Sequence, residues 1–130
     1  MSREIKFRIW DNYNKYFIKD TDTDKYYLSP NGDIIIIDEI GLIYETDKEN
    51  YIINSYTGLN NIEKYEIYEN DIVWNRQNDE YQVVIFEEGE YKLKGENSVQ
   101  SLWESLTHIH KSGNIYEDID LVESFYKGGK

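Results

Sequence analysis

At 130 residues the chain is long enough for one domain with a sizeable core and too short for two independent cores. Its 26 acidic residues outnumber its 14 Lys and Arg residues, and because the net charge of -12 is spread along the chain, direct binding to nucleic-acid phosphates is disfavoured. The lack of cysteine excludes disulfide and thiolate chemistry and fits a reducing compartment.

The aromatic content favours a folded protein that is not embedded in a membrane. Although 31% of the residues are charged, 13 tyrosines supply large apolar rings that can build a core. The first residues lack the apolar segment of a secretory signal, and the longest apolar run, residues 34–37, is far too short to span a membrane. We therefore expect a soluble, cytoplasmic protein with a single domain over residues 1–130.

The first predicted element is a β-hairpin. Ile5, Phe7 and Ile9 alternate with charged residues, which is typical of a strand with one buried face. Residues 10–15 are rich in side chains that favour turns, and residues 16–18 resume an apolar run. The two runs therefore predict paired strands.

An acidic segment follows at residues 20–24. Its alternating aspartates resemble the start of a calcium-binding loop, whose carboxylates converge on one cation. Lys25 stands where that loop needs glycine, and Asn31 stands where it needs a bidentate glutamate. We therefore expect a solvated acidic turn and no metal.

A second hairpin is predicted around Asn31 and Gly32, the strongest short turn signal in the chain. It joins residues 26–28 to residues 34–37. Four consecutive isoleucines at 34–37 favour a strand covered on both faces, so we expect this strand at the centre of the core. A third hairpin is predicted between residues 41–44 and 51–53, with a longer connection at 45–50.

The densest turn chemistry lies between residues 55–59 and 66–74. Gly58 takes a positive φ without a steric penalty and Asn70 takes it at modest cost, so both can redirect the chain sharply. The apolar clusters on either side of Asn70 predict two strands joined by a tight corner within one small sheet.

The next strands are predicted to be antiparallel neighbours. The connection at residues 75–80 is short and polar, so the strand at 71–74 should pair with the strand at 81–86. Residues 87–90 form the next turn and lead into a strand at 91–93.

One segment has helical spacing. Between residues 99 and 109 the apolar positions recur every three or four residues, with Ser98 as the N-cap. Residues 113–114 should end this helix, and residues 115–117 should add a last strand. The predicted fold is mainly β: a small β-barrel-like, SH3-like arrangement of short antiparallel strands with one short C-terminal helix.

No residue set supports a catalytic, cofactor-binding or metal site. The two histidines, His108 and His110, would share a face only on a strand, and we interpret them as structural or surface residues. The chain has no phosphate-binding loop, dinucleotide fingerprint or nucleophile elbow, so we expect no enzyme and no cofactor. Trp10, Trp74 and Trp103 are interpreted as core residues.

Four blocks of sequence nevertheless resemble those of one known family, the YopX proteins of phages and prophages. The blocks are an opening at residues 3–11, Tyr-Thr-Gly-Leu at 56–59 followed by Glu-Ile-Tyr-Glu-x-Asp-Ile-Val at 66–73, a late hairpin at 84–93 and a closing motif at 113–117. The family pattern has glycine where this chain has Asn70, and an Asn-Gly loop where it has residues 62–65.

The resemblance implies a YopX-like fold and a bacterial host cell, and it supplies no functional residues. We expect a phage or prophage accessory protein that associates with an unidentified host or phage protein or with itself as a homo-oligomer. Because charge alone also suggests it, the alternative hypothesis is an acidic nucleic-acid mimic that blocks a host DNA-binding protein. The role of His108 and His110 stays open.

Overall fold

The computed structural model describes residues 5–19, 25–45 and 49–127. The acidic segment at residues 20–24 lies outside these ranges. The chain divides into two compact units, one formed by the described residues of 1–7 and 54–130, the other by those of 8–53. The single domain over residues 1–130 stays a prediction. No helix in the described ranges is long and apolar enough to cross a membrane.

The unit of residues 8–53 is built from short antiparallel strands. They are β1 (Phe7–Asp11), β2 (Tyr16–Phe17), β3 (Lys25–Leu28), β4 (Ile34–Ile37) and β5 (Ile43–Glu45). β1 pairs with β2, and β3, β4 and β5 form a three-stranded sheet in that order. Both predicted N-terminal hairpins are therefore confirmed, and Gly32 in the turn of the second has a positive φ.

Two details of this unit differ from the prediction. Only Ile34 among residues 34–37 is buried, so this strand is not the centre of the core. β5 pairs with β4 through a tight turn after Asp38, whereas residues 51–53 belong to a different sheet. The predicted hairpin between residues 41–44 and 51–53 is therefore wrong. β5 pairs instead with β4, the strand that immediately precedes it in the sequence.

Asp11 organises the turn that follows β1. Its carboxylate accepts hydrogen bonds from the backbone N–H groups of Tyr13 and Asn14 and from the side-chain amides of Asn14 and Asn50. Burial raises the pKa of Asp11, but these hydrogen bonds outweigh it and lower the pKa below its ordinary value.

The other unit contains a five-stranded antiparallel sheet in the order β11-β10-β9-β8-β12. The elements from residue 51 onward are β6 (Tyr51–Asn60), β7 (Glu66–Tyr68), β8 (Asp71–Asn75), β9 (Glu80–Glu87), β10 (Glu90–Lys94), β11 (Val99–Ser101), α1 (Leu102–Ser105), β12 (Ile109–Asn114) and a 3-10 turn at Ile119–Leu121. β8 and β9 pair as predicted, with Ile72 opposite Val83 and Trp74 opposite Tyr81.

Both faces of this sheet are covered, which explains its runs of consecutive apolar residues. Val73, Val84 and Leu93 lie in one buried cluster with Ile67, Leu102 and Ile109. Ile72 and Val83 lie in the other, with Ile115 and Val122. Because side chains alternate along a strand, neighbours such as Ile72 and Val73 serve opposite faces.

The predicted corner at Asn70 is confirmed. Asn70 has a φ of 69°, and its backbone N–H donates to Val84 while its carbonyl accepts from Ile115. β7 pairs with β6 and β8 pairs with β9, so the corner joins two sheets and not two strands of one sheet. The positive φ of Asn70 follows from the local sequence, whereas the pairing partners of β7 and β8 depend on segments that are distant in the chain.

The predicted helix is shorter than its apolar spacing suggested. Val99–Ser101 is strand β11, which pairs with β10, and helix α1 covers four residues only. The N-cap is Ser101 and not Ser98, and residues 115–117 form a turn and not a last strand. Sheet hydrogen bonds to β10 overrode the helical spacing. The predicted fold class, mainly β with short antiparallel strands and one short helix, is confirmed.

The N-terminal prediction was right about the strand and about the burial of Ile9, and wrong about Ile5 and Phe7. Ile5 is 85% exposed and Phe7 is also exposed, whereas Ile9 and its neighbours Trp10 and Asp11 are buried. Because Phe7 and Ile9 share a face, burial changes along the length of the strand, and period-two alternation does not predict where along a strand burial begins.

Candidate functional site

An open groove of about 570 Å³ is the best candidate for a functional site. We call it the aromatic groove. Three segments of the same unit form it: part of β6, the tip of the β9–β10 hairpin and the start of α1. Its lining residues are Thr57, Gly58, Leu59, Phe86, Gly89, Glu90, Tyr91, Ser101 and Trp103.

The short helix α1 displays Trp103 toward solvent. Leu102 is fully buried and fixes the helix to the core, whereas Trp103 is 69% exposed. The hydroxyl of Ser101 accepts a hydrogen bond from the backbone N–H of Glu104, and the hydroxyl of Ser105 donates to the Ser101 carbonyl. These contacts fix the first turn. The indole is therefore exposed on a well-anchored backbone.

The hairpin tip supplies the second wall. Phe86 and Tyr91 are opposite each other across β9 and β10, and their rings meet edge to face with centroids 4.9 Å apart. Phe86 is 54% exposed, while Tyr91 is half-buried against the core. Glu88 and Gly89 both have positive φ, which matches the two-residue turn that a tight hairpin requires.

The third wall is a bulge in β6. The register between β6 and β7 shifts between Tyr56 and Asn60, and Gly58 lies within it with a φ of 82°. A Cβ at Gly58 would meet nothing within 4 Å, so the backbone conformation and not space favours glycine. The Thr57 hydroxyl donates to the Ile67 carbonyl at 2.7 Å and accepts from the Leu59 N–H at 3.2 Å.

The charge around the hairpin tip is predominantly negative. The Lys92 ammonium lies 2.8 Å from a Glu88 oxygen, 3.7 Å from Glu87 and 3.9 Å from Glu90. Its hydrogen bond with Glu88 raises the pKa of Lys92 and lowers that of Glu88. One cation therefore faces three carboxylates.

The three tryptophans have different environments. Trp10 is buried, as predicted, and Trp74 is half-buried against Tyr81, with ring centroids 4.8 Å apart. The assignment of Trp103 to the core was wrong. The sequence signal for its exposure is its position between Leu102 and Ser105, which are the buried residues of a single helical turn.

The two histidines do not come together as a ligand pair. His108 lies in the turn after α1, whereas His110 lies in β12 with its Nδ1 atom 3.2 Å from a Glu63 oxygen. Over residues 5–19, 25–45 and 49–127, no three acidic or histidine side chains are grouped as metal ligands would be.

A buried polar cluster lies on one face of the five-stranded sheet. The Gln82 amide donates to Gln100, Ser98 and Glu80, and its oxygen accepts from Asn75 at 2.9 Å. Gln82 and Asn75 are fully buried. Their polar atoms are used within the sheet, so this cluster stabilises the fold and offers no ligand site.

Comparison with known proteins identifies relatives that cover most of the chain. The model of the family described as YopX protein matches residues 6–123. The chain resembles the X-ray crystal structure of protein yopX from Bacillus subtilis, with a TM-score of 0.61 and 17% identity over 89% of this chain and 96% of that one. It also resembles the crystal structure of a protein from Enterococcus faecalis, with a TM-score of 0.62 and 23% identity over 92% of this chain and 99% of that one.

None of the curated proteins matches the chain. At these identities, the two solved structures show a shared fold. The family match confirms the resemblance that the four sequence blocks suggested.

Proposed function

The chain belongs to the YopX family, whose model matches residues 6–123, and from that premise we propose that it is a phage- or prophage-encoded accessory protein that binds another protein and does not catalyse a reaction. The partner is a host or phage protein in the bacterial cytoplasm. A second copy of the chain is the other partner that we expected from the sequence.

The observation that supports this proposal is the aromatic groove. Aromatic residues are enriched in the centres of protein interfaces, and Trp and Tyr dominate their binding energy. Here Trp103 and Phe86 are mainly exposed and lie beside Tyr91 around one concave surface. Single exposed apolar residues are common on soluble proteins, whereas a group of three aromatic rings around one groove is typical of a binding surface.

The exposure of Trp103 has an energetic consequence. A tryptophan side chain presents about 200 Å² of surface, so at about 25 cal/mol per Å² its exposed two-thirds forgoes about 3 kcal/mol of hydrophobic stabilisation. A partner that covers the indole recovers part of this free energy on binding.

The polar side chains of the groove support binding over catalysis. The hydroxyl of Thr57 is used in a hydrogen bond to Ile67, and that of Ser101 caps α1. Both hydroxyls therefore maintain the walls of the groove, and among the described residues neither is hydrogen-bonded to a side chain that could act as a general base, as an activated nucleophile requires.

Affinity capture from host lysate tests the proposal, with the whole chain as bait and quantitative mass spectrometry as readout. We expect proteins that are captured by the wild type and lost with Trp103→Ala. Tyr65→Ala is the matched control, since Tyr65 is 57% exposed in the same unit but outside the groove. Circular dichroism checks that each variant is folded.

An identical set of captured proteins with Trp103→Ala would contradict the use of this surface. Light scattering over a wide concentration range tests the alternative partner, a second copy. A mass that rises with concentration for the wild type and not for Trp103→Ala would assign the groove to self-association.

A further inference from the structure

The turn between β3 and β4 contains a chemically labile pair of residues, Asn31 and Gly32. An asparagine followed by glycine occurs once in the sequence, and both residues are exposed. Glycine has no Cβ, so its backbone nitrogen can approach the side chain of the preceding residue with the least steric hindrance. The space beside Gly32 is open, because a Cβ built there would meet nothing within 4 Å. The side-chain amide of Asn31 and the backbone nitrogen of Gly32 can therefore come together.

The reaction open to these two groups is deamidation. The backbone nitrogen of Gly32 loses its proton and attacks Cγ of Asn31, so that a bond from this nitrogen to Cγ forms and the bond from Cγ to Nδ2 breaks. The side-chain nitrogen takes up a proton and leaves as ammonia, which gives a cyclic succinimide. Water then opens the ring at either carbonyl carbon and leaves aspartate or isoaspartate at position 31. Water is the only co-reactant, and nothing is oxidised or reduced.

The folded turn restrains this reaction. The Gly32 N–H donates to the Ser29 carbonyl at 3.0 Å, so the nitrogen has to leave that hydrogen bond before it can attack. Two further hydrogen bonds close the turn: the Ser29 N–H donates to the Asp33 carbonyl at 2.8 Å, and the Asp33 N–H donates to the Ser29 hydroxyl at 3.0 Å. We propose that Asn31 is a deamidation site in the folded protein and that opening of this turn sets the rate. The site is independent of the protein-binding function proposed above.

Isoaspartate would change the hairpin that the turn closes. Its main chain runs through the former side chain, which inserts an additional carbon atom between positions 31 and 32. The hydrogen bonds from Gly32 to Ser29 and from Ser29 to Asp33 then lose their geometry. Because the register of β3 and β4 is fixed by this turn, the isoaspartate form should unfold at a lower urea concentration than the unmodified chain. The new carboxylate allows ion exchange to separate the two forms, and equal urea midpoints would contradict this consequence.

Mass spectrometry of the whole chain, incubated at mildly alkaline pH with and without urea, tests the site. Trypsin then releases residues 26–48, in which Asn31 is the sole asparagine, and residues 77–92, in which Asn78 is the sole asparagine. Asn78 is the matched control, because it is also exposed in a turn and is followed by a residue of positive φ, Asp79, that has a Cβ. Deamidation raises the mass of a peptide as –NH₂ is replaced by –OH. A purified isoaspartyl methyltransferase labels the isoaspartate product.

We expect Asn31 to react about tenfold faster than Asn78 in the folded protein, because glycine removes the steric hindrance. In urea Asn31 should react about tenfold faster still, because the Gly32 N–H is released from Ser29. Ser29→Ala removes the hydroxyl that accepts from Asp33, so it should speed the reaction severalfold in the folded protein and leave the rate in urea unchanged. Gly32→Ala should slow the reaction in urea, where no effect on the fold contributes.

Two results would overturn the site itself: no modification of Asn31 in the folded protein during the time in which the chain in urea is converted, or a rate at Asn31 no higher than at Asn78. Equal rates in the folded protein and in urea, or a folded Ser29→Ala variant that reacts like the wild type, would overturn control by the turn. A Gly32→Ala chain that reacts in urea as fast as the wild type would exclude the proposed attack by the backbone nitrogen.

Discussion

Replacing Asn70 by glycine and by alanine separates two effects at the corner between β7 and β8. The backbone of Asn70 has a φ of 69°, and its side-chain amide donates to the Tyr116 hydroxyl at 3.0 Å. The Tyr116 hydroxyl also accepts from Asn54 at 2.9 Å, so one phenol connects the corner to β6.

Both substitutions remove the amide, which lowers the free energy of unfolding by about 1 kcal/mol. They differ at Cβ. A Cβ at positive φ costs about 1 to 2 kcal/mol, and somewhat less in asparagine, which tolerates this region. Glycine relieves that strain, so Asn70→Gly should be destabilised by only about 0.5 kcal/mol. Alanine keeps the Cβ without the amide, so Asn70→Ala should lose about 2 kcal/mol.

Urea unfolding measures the order of the three proteins. Circular dichroism and tryptophan fluorescence should give coincident transitions with equal m-values, so that midpoints report stability. At negative φ alanine would be the more stable variant by about 0.5 to 1 kcal/mol. An alanine variant at least as stable as the glycine variant would therefore refute the left-handed corner.

A double-mutant cycle isolates the hydrogen bond. Tyr116→Phe and Asn70→Ala should show a coupling free energy of about 1 kcal/mol, because either change removes the same contact. Additive effects would mean that the amide contributes nothing through Tyr116, and the loss in Asn70→Ala would then come from the backbone alone.

Three further predictions use the same measurements. Leu102→Ala should lower the free energy of unfolding by about 3 kcal/mol, because the side chain of Leu102 is fully buried. Trp103→Ala should lower it by less than about 0.5 kcal/mol, because the indole is mainly exposed, and similar losses in the two variants would contradict the exposure of Trp103. Val73→Ala and Asn75→Ala should each lower the free energy of unfolding, measured with urea, by about 2 kcal/mol. The first leaves a cavity, and the second leaves the buried oxygen of Gln82 without the hydrogen bond from Asn75. An Asn75→Ala variant as stable as the wild type would contradict a stabilising role for the polar cluster. Burial raises the pKa of Asp11, but its hydrogen bonds bring the pKa below 3.8, so the ionised carboxylate stabilises the fold above that pH and this stabilisation is lost as the pH falls through the lower pKa of the folded state. The melting temperature of Asp11→Asn should therefore depend less on pH over this acidic range than that of the wild type. An equal pH dependence in the two proteins would contradict the role of the carboxylate.

Local sequence signals predicted the turns well. Gly32, Asn70 and the hairpin tip at Gly89 all have the positive φ values that their residue types favour. The antiparallel pairing of β8 and β9 followed from the short connection between them. Each of these features depends on residues close together in the chain.

The candidate site could not be predicted in the same way. Its walls come from residues 57–59, 86–91 and 101–103, which are distant in sequence. The sequence assigned Trp103 to the core because aromatic residues dominate cores, and only the burial of Leu102 beside it leaves the indole outside. Asn75 was assigned to the polar connection at residues 75–80, yet it is the last residue of β8 and is fully buried.

The sequence by itself therefore determined the class of fold, the family and most of the reversals of direction, because φ preferences and apolar alternation act over a few residues. Tertiary structure decided which strand pairs with β5, how far α1 extends and which aromatic rings face solvent. Those outcomes depend on hydrogen bonds and packing between segments that are distant in the sequence. The pairing of a strand and the burial of an aromatic ring are therefore decided by which segments the complete fold brings together.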